Sequence, residues 1–461
     1  MLRSAQHDNN CAGIIGGMSE LRDNATAVVR RLVEAGHQAY WAGGCVRDLV
    51  LGREPSDYDV ATSATPPEVL RLYPDAVTVG AQFGVIRVPS GGAEIEVATF
   101  RSDHGTLDGR HPREVRYART PEEDVRRRDF TINGLLYDPI KEEVLDFVGG
   151  RADLQEGVIR TIGEPAERFA EDRLRLLRAI RFAARFGYRI EENTWAALCE
   201  TRAGIEQVSR ERVRDELLKM LTEGPARRAF ELLDESGLLE ILLPEVARMK
   251  GVEQPPEFHP EGDVWVHTLL MLERLSDPTP TLALGALLHD VGKPPTFTPA
   301  SGPDDRIRFD RHTEVGAVMA EEICARLRLS NRDTERVVAL VRHHLRFKDA
   351  PNMRPSTFKR FISMDGFDEH LELHRLDCAA SHGDLSNWDY IKQQIANLPP
   401  EEVRPPRLLT GHDLQAMGYR PGPEMGKMLA ALEEAQLEGT VKTVDEAQAF
   451  VRERFPGEGE G

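Results

Sequence analysis

Two aspartates, Asp57 and Asp59, stand one residue apart in SDYDVAT, downstream of the paired glycines Gly43 and Gly44. On a strand, residues two apart face the same side with Cα atoms roughly 6–7 Å apart. Such a pair can hold two Mg²⁺ ions about 3.5–4 Å apart. One ion would activate an attacking hydroxyl, and the other would neutralise a triphosphate and its leaving pyrophosphate. Gly43 and Gly44 would let the backbone approach phosphates closely and donate N–H groups to them. Two spaced aspartates also occur in solvated turns, so their surroundings decide between the readings.

A second set has the order H…HD…H…H…D: His267, His289, Asp290, His312, His343 and Asp377. A lone histidine on an apolar helix is usually a packed core residue. An adjacent His-Asp pair after an apolar run, with further His and Asp behind it, is a metal-ligand pattern. Imidazole and carboxylate together suit a transition metal (Mn, Ni, Co or Fe) better than Mg²⁺. Such a site would lower the pKa of a bound water and direct the hydroxide at a phosphate ester. Of the neighbours His343 and His344, His343 is taken as the ligand and His344 as the alternative. Lys293 is a phosphate contact or simply an exposed lysine.

The elements that must position these groups follow from the pattern of the chain. At 461 residues, with 40% hydrophobic and 30% charged, it implies two or more soluble domains. Residues 1–25 read as an N-terminal extension without a secretory pattern. Residues 26–160 mix short β-like runs such as AEIEVATF with Gly- and Asp-rich turns, the makings of a small sheet. In RFAEDRLRLLRAIRFAARFG the apolar period becomes helical, which predicts one amphipathic helix ending at Gly187 within a helical segment 161–250. The Pro-rich GVEQPPEFHPEGD reads as a linker into His-bearing helices (251–395), and NLPPEEVRPPR as a break before a helical tail (396–461).

No apolar run reaches the roughly 20 residues of a membrane helix, so no membrane is expected. Five cysteines without a CxxC pair fit a reducing cytoplasm. A net charge of −18 is unusual for a nucleic-acid partner. Between Arg160 and Arg189, however, eight Arg face four carboxylates (Glu164, Glu167, Glu171, Asp172), an island suited to RNA or triphosphate. Arg178 and Arg181 continue its helical surface as candidate phosphate contacts. Glu96 is a candidate third carboxylate near the metals, or an outward-facing strand residue.

The arrangement GGCVRD…SDYD, then RRRDFTINGLLYD, then RFAEDRLRLLR resembles the polymerase-β-like superfamily, specifically its bacterial class II CCA-adding enzymes and poly(A) polymerases, over roughly residues 30 to 240. The resemblance implies an α+β fold: a small polymerase-β-like mixed-sheet head, then an all-α neck and body. It implies that Asp57 and Asp59 bind the Mg²⁺ ions, and that Gly43, Gly44 and Arg47 contact phosphate. Arg128, Asp129 and Asn133 would recognise the ribose; a carboxylate and an amide can both accept from a 2′-hydroxyl. Asp172 and Arg175 would read the edge of the incoming base. Three apart on a helix, they can present an acceptor and a donor side by side. Without the other motifs they would read as an exposed ion pair. Asp108 and Arg110 match a flexible-loop motif whose presence argues against an enzyme that adds only C.

The histidine set resembles the HD phosphohydrolase superfamily, which implies an all-α HD domain with cyclic phosphodiesterase, 2′-nucleotidase or phosphatase activity. The stretch LLTGHDLQAMGYRPGPEMGKMLAALEEAQLEG resembles the tail found after such domains. The implied function is template-independent addition of C and A from CTP and ATP to the 3′ end of tRNA. DNA is not an expected partner, and the sequence carries no reading of the oligomeric state. An A-adding or poly(A) polymerase is the nearest alternative. The HD domain and the lack of a basic C-terminal tail, which a processive enzyme would use as an RNA track, lean against it. A protein-modifying nucleotidyltransferase with an HD domain is disfavoured by RRDFTIN and EDRLR. A non-catalytic RNA-binding module has no need of the aspartate pair.

Overall fold

Alternating apolar residues in AYWA and DVAT give two short strands, β1 (Ala39–Ala42) and β2 (Asp59–Thr62), paired antiparallel at the centre of a seven-stranded sheet. The computed structural model describes residues 8–79, 84–106, 112–257, 259–302 and 305–456. With β3 (Val77–Thr78), β4 (Val85–Ser90), β5 (Ala93–Thr99), a hairpin β6–β7 (Arg101–Thr106, Pro112–Tyr117), β8 (Leu135–Asp138) and β9 (Glu143–Asp146), the order across the sheet is β3-β4-β5-β2-β1-β8-β9. Only β2 and β5 run parallel, so the sheet is mixed.

Helix α1 (Asp8–Glu34) lies against β1, β2, β4 and β5 and buries Ala25, Val28, Val29 and Leu32 at helical spacing. The helix begins within residues 1–25, the expected N-terminal extension, and its buried stripe, at 25–32, is where the sheet becomes its partner. Helix α2 (Gly44–Val50) follows β1 directly.

Behind the sheet, the single helix expected up to Gly187 is two: α3 (Pro165–Glu171) and α4 (Arg175–Phe186). Asp172 is extended (φ −143°, ψ 102°), and its Oδ1 accepts from Leu174 N at 3.1 Å. That local bond replaces the helical ladder. A parallel pairing of residues 158–159 with 189–190 ties the sheet domain to these helices, and α5 (Arg210–Thr222) packs on α4. Residues 1–244 accordingly form one compact unit.

The second unit, residues 245–461, is helical. Helices α6 (Val264–Glu273), α7 (Pro280–Leu288), α8 (His312–Arg326), α9 (Asn331–His343) and α10 (Phe367–Ala380) pack on one another, with α7 between α6, α9 and α10. The tail has a small core of its own around Leu409, Leu414, Met425, Leu432 and Val451. Among the described residues, no helix is long and apolar enough to cross a membrane.

Candidate active sites

In the first unit a cleft of about 440 Å³ gathers Gly43, Gly44, Arg47, Asp59, Arg128, Asp129, Asn133, Asp172, Arg175 and Arg178, from segments far apart in the chain. Strand β2 begins at Asp59, so Asp57 precedes the strand instead of sharing it. The alternation still holds: both carboxylates are exposed and Tyr58 between them is buried, edge-on to Trp41 at 4.7 Å. Glu96 stands level with Asp59 on the neighbouring strand β5. Desolvation, then Asp57 and Glu96, push the Asp59 carboxyl up to about 6, against the pull of Arg128. Asp57 and Asp59 at the start of β2, with Glu96 beside them in mid-β5 and paired with Arg87 at 3.1 Å, suit a divalent cation, whose charge would relieve the repulsion between the two aspartates.

Gly43 and Gly44, the expected phosphate contacts, both line the cleft. Gly43 has φ +75°, and a Cβ there would come within 3.3 Å of Arg128 Nη1, so glycine is required. Its own N–H, however, points to Leu135 O (3.4 Å), leaving little of that donor for a phosphate. Arg47 is 5% exposed and bound bidentately to Asp48 (2.9 and 3.1 Å), with Nη1 on Asn133 Oδ1 at 2.9 Å.

Asp124, buried and absent from the sequence reading, anchors Arg127 (2.7 Å) and Arg128 (2.9 Å). Arg168 donates to Arg128 O (2.7 Å) and Arg175 to Arg127 O (3.0 Å), so α3 and α4 grip the RRD segment. Asp172 and Arg175 line the same cleft although the helix breaks between them, and Asp172 Oδ2 accepts from Arg212 at 2.8 Å. Arg178 pairs with Asp129 at 2.6 Å. Arg181 does not reach the cleft: it is 6% exposed and its Nε lies 2.6 Å from Glu216 Oε2. Three apart on one helix, both arginines approach Glu216, Arg178 at 3.8 Å and Arg181 at 2.6 Å, and Arg181 is the one drawn into the interior by it. Much of the Arg160–Arg189 island is neutralised in this way. Phe182, one turn beyond Arg178, also lines the cleft; its spacing was the available signal. Asp108 and Arg110 lie outside the described residues.

In the second unit, His267, His289, Asp290, His312 and Asp377 come together, and the fourth imidazole is that of His344. His343 instead faces His370, with ring centroids 6.2 Å apart. Helix α9 ends at His343, and its buried face (Val337, Val341) continues to His344, which is 3% exposed. Among the described residues the candidate ligand atoms form three groups, His259–Glu261–His267, His267–His289–Asp377 and Asp290–His312–His344, each compact enough for an ion.

Nδ1 of His289, His312 and His344 lies 2.8–2.9 Å from the carbonyl three residues back (Ala286, Phe309, Val341). A carbonyl only accepts, so each Nδ1 carries the proton and each Nε2 offers a lone pair. Those of His289 and His312, and Asp290 Oδ1, are buried without a hydrogen-bond partner. His289 Nε2 sits 3.0 Å from Asp290 Oδ2, two acceptors side by side. This donor set fits a transition-metal cation. Burial, then His289, holds His344 down to about 3, so it is neutral at physiological pH. Gly292 lets the loop after Asp290 lie against α8: a Cβ there would meet His312 O at 2.1 Å. Lys293 is buried, not exposed, with Nζ 2.7 Å from Asp290 Oδ2.

Three family models match the chain: the poly(A) polymerase head domain over residues 39–160, the probable RNA- and SrmB-binding site of polymerase A over 187–250, and the HD domain over 264–379. A CCA-adding enzyme of Lactobacillus johnsonii is 33% identical over 274 residues, 58% of this chain and 68% of that protein. The chain belongs to the CCA-adding enzyme and poly(A) polymerase family. A second CCA-adding relative, from a Geobacillus species, is 41% identical over 48% of this chain and 54% of its own length. The chain thus matches about half to two thirds of the length of these curated CCA-adding relatives. The crystal structure of the Bacillus stearothermophilus CCA-adding enzyme in complex with CTP superposes over 94% of this chain and 97% of its own, at 27% identity and a TM-score of 0.70.

Proposed function

We propose that this protein builds or repairs the CCA end of tRNA, adding C and A from CTP and ATP with release of pyrophosphate, and that its HD domain hydrolyses a phosphoester. The observation that carries the reading is the convergence on one cleft of Asp59, of Arg128, Asp129 and Asn133, and of Asp172 and Arg175. A relative crystallised with CTP supports the substrate class.

In the reaction the terminal hydroxyl oxygen of the tRNA bonds to the α-phosphorus of the nucleotide, and the bond to pyrophosphate breaks. Asp57 and Asp59 would hold Mg²⁺, which supplies positive charge to the triphosphate and lowers the cost of ionising the hydroxyl. Arg128 and Asn133 orient the sugar. Asp172 and Arg175 would present an acceptor and a donor to the base edge in place of a template, exchanging their bonds to Arg212 and to Arg127 O for the base. Domain roles follow: residues 26–160 carry the chemistry, 161–250 the base and RNA contacts, 251–395 the HD site, and 396–461 a helical tail. At the HD site His267, His289, Asp290, His312, His344 and Asp377 would hold Mn, Ni, Co or Fe, which supplies an activated water. Cys45, Cys199, Cys324 and Cys378 are free thiols, in keeping with the cytoplasm.

The test is incorporation of labelled CTP and ATP into tRNA lacking its CCA end. Addition of C, C and then A is expected. Long runs of A alone would make the protein a poly(A) polymerase, and no incorporation would refute the proposal.

A further inference from the structure

The Pro-rich stretch before α6, which reads as a linker in the sequence, is tied down in the structure. Asp263 caps α6 through Val266 N (2.7 Å), and its other oxygen accepts from Gly251 N (2.7 Å). Val264 N bonds Val252 O (3.0 Å), and His259 N bonds Pro255 O (3.0 Å). These bonds close the loop at its base and tie Asp263, Val264 and His259 within it.

Two of those side chains reach the histidine cluster. Gln254 Oε1 accepts from Lys293 Nζ at 2.6 Å, behind the Lys293–Asp290 pair. Glu261 Oε1 is hydrogen-bonded to His259 Nδ1 at 2.9 Å and lies 2.6 Å from His267 Nδ1, a close charge contact without hydrogen-bond alignment that leaves both nitrogens of His267 open. His267 is fully buried, and its Nε2 faces Asp377 Oδ1 at 3.1 Å.

The comparison among the four imidazoles makes this contact significant. His289, His312 and His344 each have Nδ1 against a backbone carbonyl of their own helix turn. His267 stands in the first turn of α6, and its Nδ1 meets a carboxylate brought by the loop instead. A carboxylate behind a ligand imidazole fixes which nitrogen keeps the proton and raises the basicity of the other.

We propose that Glu261 is a positioning residue of the HD centre, holding the His267 ring by Nδ1 so that Nε2 is presented to a metal ion beside Asp377 and His289. The proposal rests on the HD centre being a metal site. In this role Glu261 acts through His267; with His259 and His267 it is also compact enough to hold an ion of its own, and loss of one whole Ni²⁺ equivalent in Glu261→Ala would make it a ligand and overturn the positioning role. His259, on the same carboxylate oxygen, braces Glu261 from the loop side.

The test uses the full chain, stripped with a chelator and titrated with Ni²⁺ by calorimetry, with Co²⁺ binding followed by its visible d–d absorption. Glu261→Ala is expected to weaken Ni²⁺ binding roughly 10–100-fold and to change the Co²⁺ band. Glu261→Gln keeps an oxygen acceptor of the same reach without the charge, so it should fall between Glu261→Ala and the unchanged chain in both readouts. Being isosteric, it carries the test even if the alanine variant fails to fold. Glu257→Gln, an exposed carboxylate of the same loop, should match the unchanged chain. His289→Ala reports on the metal site itself. If it abolishes Ni²⁺ binding while the Glu261 variants bind and absorb like the unchanged chain, the positioning role is overturned. If His289→Ala also binds Ni²⁺ normally, the metal-site reading falls, and the proposal with it.

Discussion

Asp129 and Arg178 form an ion pair at the wall of the head cleft, with both Nε (2.8 Å) and Nη2 (2.6 Å) of Arg178 on Asp129 Oδ2. The other oxygen accepts from Phe130 N (2.8 Å) and Asn133 Nδ2 (3.1 Å). The carboxylate is therefore engaged by the protein before any ribose arrives, and a direct part of it in sugar recognition would require one of these bonds to open. Its established geometry is that of a clamp joining the RRD segment to α4.

The clamp makes a pH prediction. Burial alone would raise the Asp129 carboxyl, but Arg178, Asn133 and the Phe130 N–H outweigh it and hold it at about 2, against an ordinary 3.8. A carboxyl lowered by folding stabilises the fold above its ordinary pKa, and that contribution is lost as pH falls from about 4 toward 2. Arg178→Met should cost about 3 kcal/mol at pH 7 by stranding a buried charge. Urea unfolding should show the penalty shrinking at pH 3; a pH-independent penalty would place the effect in packing alone.

Asp59 titrates the opposite way. With its carboxyl pushed up to about 6 by desolvation, Asp57 and Glu96, it is protonated more readily than an ordinary aspartate, and a cation must displace that proton. Nucleotide addition at low Mg²⁺ should fall as pH drops through about 6. Raising Mg²⁺ should move the midpoint to lower pH. Asp59→Asn should lower the rate by roughly 100-fold or more with tRNA binding retained in a filter assay. Addition surviving in the variant would remove Asp59 from the reaction.

What the sequence made legible is what spacing alone determines. Asp59 and the RRD segment line one cleft, with Asp57 two residues before Asp59 and outside its lining, and the mixed sheet and helical rear follow from the change of apolar period. The break at Asp172 was invisible because LRLLR continues the helical pattern and no Pro or Gly interrupts it. An aspartate able to bond the backbone two residues on was the only sign. His344 could have been chosen over His343, since it lies seven residues from Val337 and three from Val341 on the buried face. Glu261 had no such signal: loop residues carry no periodicity, and its partner becomes visible only when the loop is folded.

Gly43 offers a test of how tightly the cleft is built. Gly43→Ala places a side chain at φ +75°, ψ −126°, outside the left-handed helical well, which costs about 1–3 kcal/mol, and crowds Arg128 Nη1 at 3.3 Å. Arg128 is held by Asp124, so the strain should appear at the cleft and not in the sheet core. The expected result is a raised KM for CTP and ATP alike, with a modest loss of thermal stability. A lowered melting temperature with KM unchanged would show that Arg128 moves aside freely.

The adjacent histidines provide the sharpest test of the HD site, because the two substitutions are chemically identical and one residue apart. His344 is buried with Nδ1 on Val341 O, and its Nε2 lies 3.8 Å from Asp290 Oδ1. His343 faces His370, away from the ligand groups. His344→Ala should weaken Ni²⁺ binding by on the order of 100-fold or more and abolish phosphoester hydrolysis. His343→Ala should keep both, and nucleotide addition should survive either change because the head cleft lies wholly in the first unit. Calorimetry of the two variants with Ni²⁺ decides the matter. The reverse order would mean that helix α9 is rotated by about a third of a turn relative to its position here, bringing His343 onto Asp290 and carrying Val341 off Gly316 of α8.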